Sequence, residues 1–330
     1  MALKAGAIRF NTDSSQMEIW DGNQWTGILA TSPFQQTGRT RGIWAGGRSQ
    51  DIIDYANLDS TGNAISFGTL SVSHFEGFAT ASRTRFITGG TLSYVNTVEF
   101  VTITSTGSRA DFGDQSVGRR NCAGFSNGTR GIVSGGLIPG SPYQASNTID
   151  YVTIAQTGNF KDFGDLVVTM GGGTNTCNSQ TRAIHIGGSS GAQPSISATN
   201  TMNYITMSTL GNAADFGDCA TANNRGGASN SVRAVFGESG AASFITIATL
   251  GNALDFGDLT AAKRGIGATA SPTRGVFAGG GNPSTAAYNV IEYVQIMTTG
   301  NVIDFGDLTG SNSGAKRNPS GCSNGHGGLG

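Results

Sequence analysis

The first groups in this sequence that could do chemistry are aspartates in a recurring Asp-Phe-Gly-Asp motif. Ten of the 21 acidic residues are the paired aspartates of its five intact copies. Two carboxylates three residues apart can bind calcium, and a ring of them can form a cation channel. Aspartates at fixed repeat positions also accept turn N–H groups or pair with a repeated arginine. We expect this structural role and no metal site, with these arginines as partners: Arg85, Arg130, Arg182, Arg233 and Arg274.

Histidine and cysteine give no sign of catalysis. The three histidines, His74, His185 and His326, lie in no recognisable motif, and the four cysteines form no C-x-x-C pair. His185 aligns with Trp44 and Phe277 of other repeats, which indicates a buried structural imidazole. Cys177 and Cys322 align with Phe125, and small buried thiols often replace apolar side chains. We therefore predict a protein that is not an enzyme, with no catalytic, cofactor or metal residues.

These residues belong to a unit that recurs six times along the chain. The segment from Thr106 to Asp114 returns in four further copies and in a degenerate copy at Thr61 to Thr69. The shared glycines of the copies lie 40 to 53 residues apart, and the spacing varies, as it does in propeller blades of the kelch type. These glycines are Gly62, Gly107, Gly158, Gly211, Gly251 and Gly300.

Each repeat has the composition of four short strands. An apolar run after Thr-Arg ends in a glycine pair and predicts an inner strand, as in Arg130 to Gly136; a second run alternates with period two, as in Tyr151 to Ile154. A Thr-Gly-Asn turn leads into the Asp-Phe-Gly-Asp strand, and a variable stretch such as Arg119 to Ser126 completes the unit. We predict an all-β, six-bladed β-propeller over residues 37–330, in which Arg317 to Gly325 supplies the fourth strand of the first blade.

One phenylalanine per repeat predicts packing between blades. A radial stack of sheets needs large apolar residues between the blades and small residues where the blades crowd together, which suits the glycine pairs. The six are Phe67, Phe112, Phe163, Phe216, Phe256 and Phe305.

Residues 1–36 do not follow the repeat. Residues 6–28 predict three short strands with turns at Asp13 to Gln16 and Asp21 to Asn23. So small a β-meander has too little core to stand alone, so Phe10, Trp20 and Trp25 should be buried against something else. We interpret this segment as an attachment or oligomerisation element; the alternative is a cap on the propeller.

A recognition surface would lie in the loops that vary between repeats. The long loops are Leu137 to Asp150, Ser189 to Asn203 and Gly281 to Glu292. The candidate contact residues in them are Tyr143, Gln144, Gln193, Asn282 and Tyr288. Tolerated insertions without a function explain the same variation.

Overall charge argues against two classes of partner. The net charge is −1 and no basic run occurs, so the electrostatic footprint of a nucleic-acid-binding protein is missing. No stretch approaches 18 apolar residues, so we expect no membrane insertion.

The glycine pair followed by an aromatic strand resembles kelch repeats over residues 38–330, although the kelch tryptophan has no counterpart. The Tyr-Val-Thr-Ile, Thr-Gly-Asn, Asp-Phe-Gly-Asp-Leu and Thr-Arg-Gly-Val-Phe-Ala-Gly-Gly units are similar to repeats in virion structural and tail proteins of tailed, cyanophage-like bacteriophages. The N-terminal segment resembles parts of phage tail-fibre proteins that lie beside attachment regions.

This resemblance implies a virion protein of a tail, fibre or capsid decoration, without enzymatic activity. It would form a homo-oligomer and contact other virion proteins, and a host surface glycan or receptor is a further candidate partner. Two alternatives stay open. One is an adhesin that binds a receptor or glycan through the variable loops. The other is a propeller-fold hydrolase or lyase, which needs a pocket that gathers carboxylates and a histidine.

Overall fold

The computed structural model describes residues 4–11, 16–27, 40–48, 50–107, 109–140, 143–172, 175–192, 195–220, 224–238, 240–281, 287–309 and 316–329. The chain divides into two compact units, Met1–Gly38 and Arg39–Gly330. The described residues contain β-strands and one short 3₁₀ helix, Gly327–Leu329, and no α-helix.

The N-terminal unit is a three-stranded antiparallel sheet in the order β1-β2-β3. Its strands are β1 (Ile8–Asn11), β2 (Gln16–Trp20) and β3 (Trp25–Gly27). The second turn is set by Asp21, whose Oδ1 accepts the N–H groups of Asn23 and Gln24 at 2.7 and 2.8 Å. An aspartate that caps its own turn is the reason the chain reverses there.

The described part of the second unit forms six antiparallel sheets. Sheet 1 contains β4 (Arg41–Ala45), β5 (Ile52–Asn57), β6 (Ile65–Thr69) and the last strand of the chain, β28 (Ser320–Ser323). The other sheets follow in chain order. Sheet 2 contains β7 (Phe78–Ala81), β8 (Arg85–Gly89), β9 (Thr97–Thr102) and β10 (Ala110–Asp114), and sheet 3 contains β11 (Ala123–Ser126), β12 (Arg130–Ser134), β13 (Leu137–Ile138), β14 (Gln144–Thr153) and β15 (Lys161–Met170).

Sheet 4 contains β16 (Asn175–Asn178), β17 (Arg182–Ser190), β18 (Ser197–Thr206) and β19 (Ala214–Asp218); sheet 5 contains β20 (Asn224–Ser229), β21 (Arg233–Glu238), β22 (Ala241–Thr246) and β23 (Leu254–Asp258); sheet 6 contains β24 (Gly267–Ala270), β25 (Arg274–Ala278), β26 (Val290–Gln295) and β27 (Ile303–Asp307).

The first strands of the six sheets contact one another in a closed circle, and we call them the ring strands: β28, β7, β11, β16, β20 and β24. The arginine strand, which the sequence predicts as an inner strand, lies second in each sheet, between the ring strand and the strand that carries the aromatic residue. The variable stretch takes the ring position because its small residues allow backbones to approach. A Cβ on Gly124, for example, would lie 2.2 Å from the Ala79 carbonyl oxygen of the neighbouring sheet.

The last strand of the chain completes the first sheet. β28 pairs antiparallel with β4, in a register that places Cys322 opposite Ile43. Six hydrophobic clusters fill the spaces between neighbouring sheets, one of them between sheets 6 and 1. The six phenylalanines predicted to pack between repeats are all at most 4% exposed. Because the sixth sheet contacts the first, burial is continuous around the circle.

The Asp-Phe-Gly-Asp motif forms the contact between successive sheets. A β-bulge at its Phe-Gly step turns the phenylalanine into the inter-sheet core, as between Asp111 and Gly113. The glycine then approaches the turn of the next repeat so closely that a Cβ on Gly113 would lie 2.5 Å from the Gly158 carbonyl oxygen. The Gly158 N–H donates to the Phe112 carbonyl at 2.7 Å, and Asn159 Oδ1 accepts the Asp114 N–H at 3.0 Å.

The end of the chain closes one end of the circle of ring strands. His326 is buried, and its Nε2 lies 3.1 Å from Ser126 Oγ and 3.2 Å from the Ala81 carbonyl. Its Nδ1 accepts the Gly328 N–H at 3.1 Å, so the ring is in its neutral form with the proton on Nε2. Burial lowers the pKa of His326 to about 4. The Arg83 guanidinium donates to the Leu329 carbonyl at 2.5 Å and fixes the segment.

We expect Gly124→Ala to lower the free energy of unfolding by about 1–3 kcal/mol, because the new methyl group would overlap the neighbouring sheet. Gly128→Ala is the matched control, since a Cβ there meets no atom within 4 Å. Urea unfolding followed by near-UV circular dichroism measures both. Equal midpoints for the two variants would show that the ring strands are not in this close contact.

We expect acid to destabilise the chain through His326. Its folded-state pKa of about 4 lies below the ordinary value of 6.5, so its contribution is complete above pH 6.5 and is lost as the pH falls toward 4. In His326→Gln the free energy of unfolding should fall less steeply between pH 6.5 and 4 than in the wild type. Urea titrations at half-unit pH steps test this, and identical slopes contradict the assignment.

Candidate functional site

The described part of the N-terminal sheet has one apolar face. The register of β1 and β2 places Ile8 opposite Ile19 and Phe10 opposite Met17, and since side chains alternate along a strand, these four share a face. Ile8 is 58%, Phe10 57% and Met17 41% exposed. A cluster of large apolar side chains at this exposure is typical of a surface that a partner covers.

The two tryptophans lie on the opposite face. Trp20 and Trp25 are cross-strand partners, and their rings meet edge to face with centroids 5.6 Å apart. The Arg9 guanidinium lies 4.2 Å from the Trp25 ring centroid and pairs with Glu18 at 2.8 Å. Hydrogen bonds from Asn11 and Arg9 lower the pKa of Glu18. The three candidate docking aromatics therefore do not form one cluster: Phe10 belongs to the apolar face, and the tryptophans pack against each other.

Three of the five candidate recognition residues fall in the described structure. Tyr143 and Tyr288 are half-buried beside cations: Arg120 lies 5.6 Å from the Tyr143 ring and the Lys263 Nζ 5.9 Å from the Tyr288 ring. Gln144 is exposed as the first residue of β14. Gln193 and Asn282 lie outside the described residues.

Two of the three predicted long loops, Leu137 to Asp150 and Ser189 to Asn203, are mostly strand. The hairpin of β17 and β18 continues to the pair Ser190 and Ser197, and β14 begins at Gln144. Insertions here lengthen a hairpin because cross-strand pairing satisfies the backbone groups that a loop would leave to water. Of the described contact residues, Gln144 therefore lies in a strand and not in a loop.

The repeated aspartates point outward, and the predicted pairing with arginine was wrong. Asp111, Asp162, Asp215, Asp255 and Asp304 are exposed. Each repeated arginine instead donates from Nη1 to a backbone carbonyl of the next sheet, as Arg130 does to Met207 at 2.7 Å. The guanidinium also lies over the aromatic residue of its own sheet, 4.7 Å from the Tyr151 ring centroid. A backbone carbonyl is the better partner for the guanidinium here, because this carbonyl lies at the end of a strand and has no acceptor role within its own sheet.

Among the described residues, no three acidic, histidine or cysteine side chains are placed to hold a metal ion. The described part of the chain also has no helix long and apolar enough to cross a membrane.

The buried carboxylates of the described residues lie at one repeat position that the sequence did not single out. The residue before the strand aromatic is a buried carboxylate in four sheets: Asp54, Glu99, Asp150 and Glu292. The basic side chain that each one meets stands four residues before the ring strand of the same sheet: Lys316, His74, Arg119 and Lys263. In sheets 4 and 5 the acidic position holds Asn203 and Ser243. An alignment of the six repeats, in which four carry a carboxylate and two a neutral residue at this position, could have indicated these buried charges from the sequence.

These pairs connect the third strand of a sheet to the segment that precedes the ring strand of the same sheet. Lys316 Nζ meets Asp54 Oδ2 at 2.9 Å and also donates to the Ile52 carbonyl at 2.8 Å. Lys263 Nζ meets Glu292 Oε1 at 2.8 Å, and both side chains are at most 2% exposed. Burial lowers the pKa of Lys316, and the Asp54 charge opposes that shift. The arrangement is suited to fixing the segment before each ring strand.

His74 and Glu99 come nearest to the catalytic pair that a hydrolase or lyase would need. The His74 Nε2 lies 3.4 Å from Glu99 Oε2, and Arg109 Nε donates to Glu99 Oε1 at 2.8 Å. Burial raises the pKa of Glu99, but hydrogen bonds from His74 and Ser71 outweigh it and hold the value at about 2. The His74 side chain has no exposure, and the Glu99 side chain is 5% exposed.

Cys177 and His185 lie in the core, and Cys322 is partly buried against it. Cys177 and Cys322 occupy the register position of Phe125, opposite the isoleucine two residues after the arginine, which confirms the predicted alignment. Burial raises the pKa of Cys177 and brings that of Cys322 to about 12, so neither is a reactive thiolate. His185 is buried with its Nδ1 2.7 Å from Ser134 Oγ, and burial lowers its pKa to about 3.

No family model and no curated protein matches this sequence. Solved structures do match, among them the structure of YjhT, with a TM-score of 0.55 and 12% sequence identity. The match covers 72% of this chain and 88% of that one. At such low identity the likeness concerns the fold alone. It agrees with an all-β, propeller-like chain built from four-stranded antiparallel sheets.

We expect Lys263→Met to destabilise the chain by about 3–5 kcal/mol, because the Glu292 carboxylate would stay buried without its cation. The double variant Lys263→Met/Glu292→Ser should recover most of this loss, since sheet 5 carries serine at the equivalent position. A double-mutant cycle by urea unfolding measures the coupling. Additive losses would show that the two charges do not depend on each other.

Proposed function

We propose that this chain is a non-enzymatic structural protein of a virion, a component of a tail, a fibre or a capsid decoration. In this proposal residues 1–36 dock to another virion protein or to further copies of the chain, and the repeat unit is displayed. The observation that carries it is the apolar face of the N-terminal sheet, where Ile8, Phe10 and Met17 are exposed.

The contrast between the two units supports this division of labour. In the repeat unit the phenylalanines are buried between sheets, and four carboxylates are paired inside the sheets. The N-terminal sheet has three strands and leaves its apolar residues on the surface. Such a sheet gains its stability from a partner rather than from its own core.

For the repeat unit we propose six blades of a kelch-like propeller around one axis. The circular order of the ring strands and the shared spacing of the repeats favour six blades. The glycine pair at the end of the arginine strand favours the kelch type. Electron microscopy of the isolated chain would count the blades directly.

We expect the full-length chain to be oligomeric in light scattering and the variant Phe10→Ser/Met17→Ser to be monomeric. The two serines remove apolar surface, and burial of such surface by a partner stabilises the assembly by about 20–30 cal/mol for each Å². Ile65→Ser is the matched control, because Ile65 is 59% exposed in the repeat unit. It should leave the mass unchanged.

A chain that begins at Thr37 extends the test. A folded monomer from this shorter chain, beside an oligomeric full-length chain, assigns assembly to residues 1–36. If all four proteins are monomers, self-assembly is excluded. Docking to another virion protein is then tested by adding purified virions that lack the chain, and no binding there would overturn the proposal.

A further inference from the structure

In sheets 2 to 6, one capping side chain fixes the turn between the ring strand and the arginine strand. In sheets 3 and 5 the cap is an asparagine: Asn127 Oδ1 and Asn230 Oδ1 each accept the N–H of the repeated arginine at 2.8 Å. In sheet 4 the cap is Ser179, whose Oγ accepts the Arg182 N–H at 3.2 Å. Sheet 4 therefore keeps the cap but lacks the amide group of the asparagine side chain.

The asparagine amide has a second role that serine cannot perform. Asn127 Nδ2 donates to the Gln180 carbonyl of sheet 4 at 3.4 Å, and Asn230 Nδ2 donates to the Pro272 carbonyl of sheet 6 at 3.1 Å. Each accepting residue directly follows the capping residue of its own sheet. An asparagine cap therefore bridges the space between its turn and the turn of the next sheet.

A groove lies between sheets 4 and 5, where this bridge is missing. It has a volume of about 490 Å³, and Ser179 and Ser231 are among the residues that line it. Ser231 follows the capping Asn230 of sheet 5, so its carbonyl is equivalent to the two that accept an asparagine amide. Ser231 is exposed, so a ligand can reach the groove from solvent. Sites for small ligands have volumes of about 300–1,000 Å³.

Arg182 is the one charged residue among the described residues that line the groove. Its Nη1 donates to the Ile247 and Ala248 carbonyls at 2.9 and 3.0 Å, and its guanidinium lies 4.5 Å from the Tyr204 ring centroid. All hydrogen bonds from its side chain to described residues come from Nη1, so Nε and Nη2 keep their donors. A guanidinium held in this way matches a carboxylate, which accepts two parallel hydrogen bonds.

We propose that this groove binds the carboxy-terminus of a peptide that belongs to a partner protein. The last residue of a peptide carries a carboxylate and an amide N–H close together. The carboxylate pairs with Nε and Nη2 of Arg182, and the N–H donates to the Ser231 carbonyl in place of the missing asparagine amide. Capture of a terminal carboxylate is one of the recurring modes of peptide recognition.

Two other classes of ligand match the groove less well. A neutral ligand leaves the Arg182 charge without a counter-charge, because no acidic residue is among the described residues that line the groove. A phosphate or a sugar acid supplies the negative charge but has no amide N–H for the Ser231 carbonyl. The two requirements together, a carboxylate and a neighbouring N–H, select the peptide terminus.

This site does not depend on the docking role of residues 1–36, because all of its residues are in the repeat unit. Its test uses the full-length chain and four probes. N-acetylglycylglycine has the free carboxylate and the N–H, and its C-terminal amide has lost the charge. Glucuronate and inorganic phosphate are anions without an amide N–H. Saturation-transfer NMR and calorimetry measure binding.

We expect saturable binding of N-acetylglycylglycine and weaker binding of the other three probes. Ser179→Asn should reduce the affinity by about tenfold or more, because the new amide takes the Ser231 carbonyl and fills the groove. The melting temperature should not fall, since asparagine is the cap of sheets 3 and 5. Ser271→Asn is the matched control: it makes the same change at the cap of sheet 6 and should bind like the wild type.

Three results would overturn the proposal. They are no saturable binding of N-acetylglycylglycine, binding of its amide, glucuronate or phosphate as tight as that of the acid, and equal binding by Ser179→Asn and the wild type. The light-scattering result for Phe10 and Met17 bears on none of these, so the two proposals fail separately.

Discussion

The whole repeat unit depends on the contact between an Asp-Phe-Gly-Asp strand and the Thr-Gly-Asn turn of the next repeat. The turn glycine donates its N–H to the motif phenylalanine carbonyl at all six junctions, including the one from Phe305 to Gly62 that joins the last repeat to the first. The motif glycine must lack a side chain for this bond to form, as at Gly306, where a Cβ would lie 2.5 Å from the Gly62 carbonyl oxygen. Hydrogen bonding, phenylalanine burial and protection of the outer strand edge follow from this one contact.

A second circle of hydrogen bonds strengthens the first. Each repeated arginine donates to a carbonyl of the following sheet, and Arg274 of sheet 6 donates to Leu58 of sheet 1 at 3.0 Å. The two circles hold different strands of each sheet, the outer strand through glycine and the second strand through arginine. Such contacts recur at every junction between sheets, and the hydrogen-bonded pairing of β28 with β4 joins the last strand of the chain to sheet 1.

Glycine alternates with larger residues from one ring strand to the next around the circle. At one equivalent position of the ring strands, sheets 1, 3 and 5 carry glycine: Gly321, Gly124 and Gly227. At the same position, sheets 2, 4 and 6 carry alanine or threonine: Ala79, Thr176 and Ala268. Each glycine accommodates the backbone of its larger neighbour. The serines two residues later, Ser126, Ser229 and Ser323, bond to the same neighbours. The ring strands therefore pack as three pairs.

The sequence by itself determined the repeat, the four-strand unit, the burial of the phenylalanines and the alignment of Cys177 and Cys322 with Phe125, because periodicity and side-chain size are local properties. It did not determine that the variable stretch forms the ring, that Arg130 bonds a carbonyl instead of an aspartate, or that Phe10 and the tryptophans lie on opposite faces. The pairs of Asp54, Glu99, Asp150 and Glu292 with basic side chains, and the hydrogen bonds of Glu76 with Arg120 and Asn318, were decided only by the tertiary structure. Their members are separated by up to hundreds of residues along the chain, and only closure of the circle brings Asn318 to Glu76 or Lys316 to Asp54.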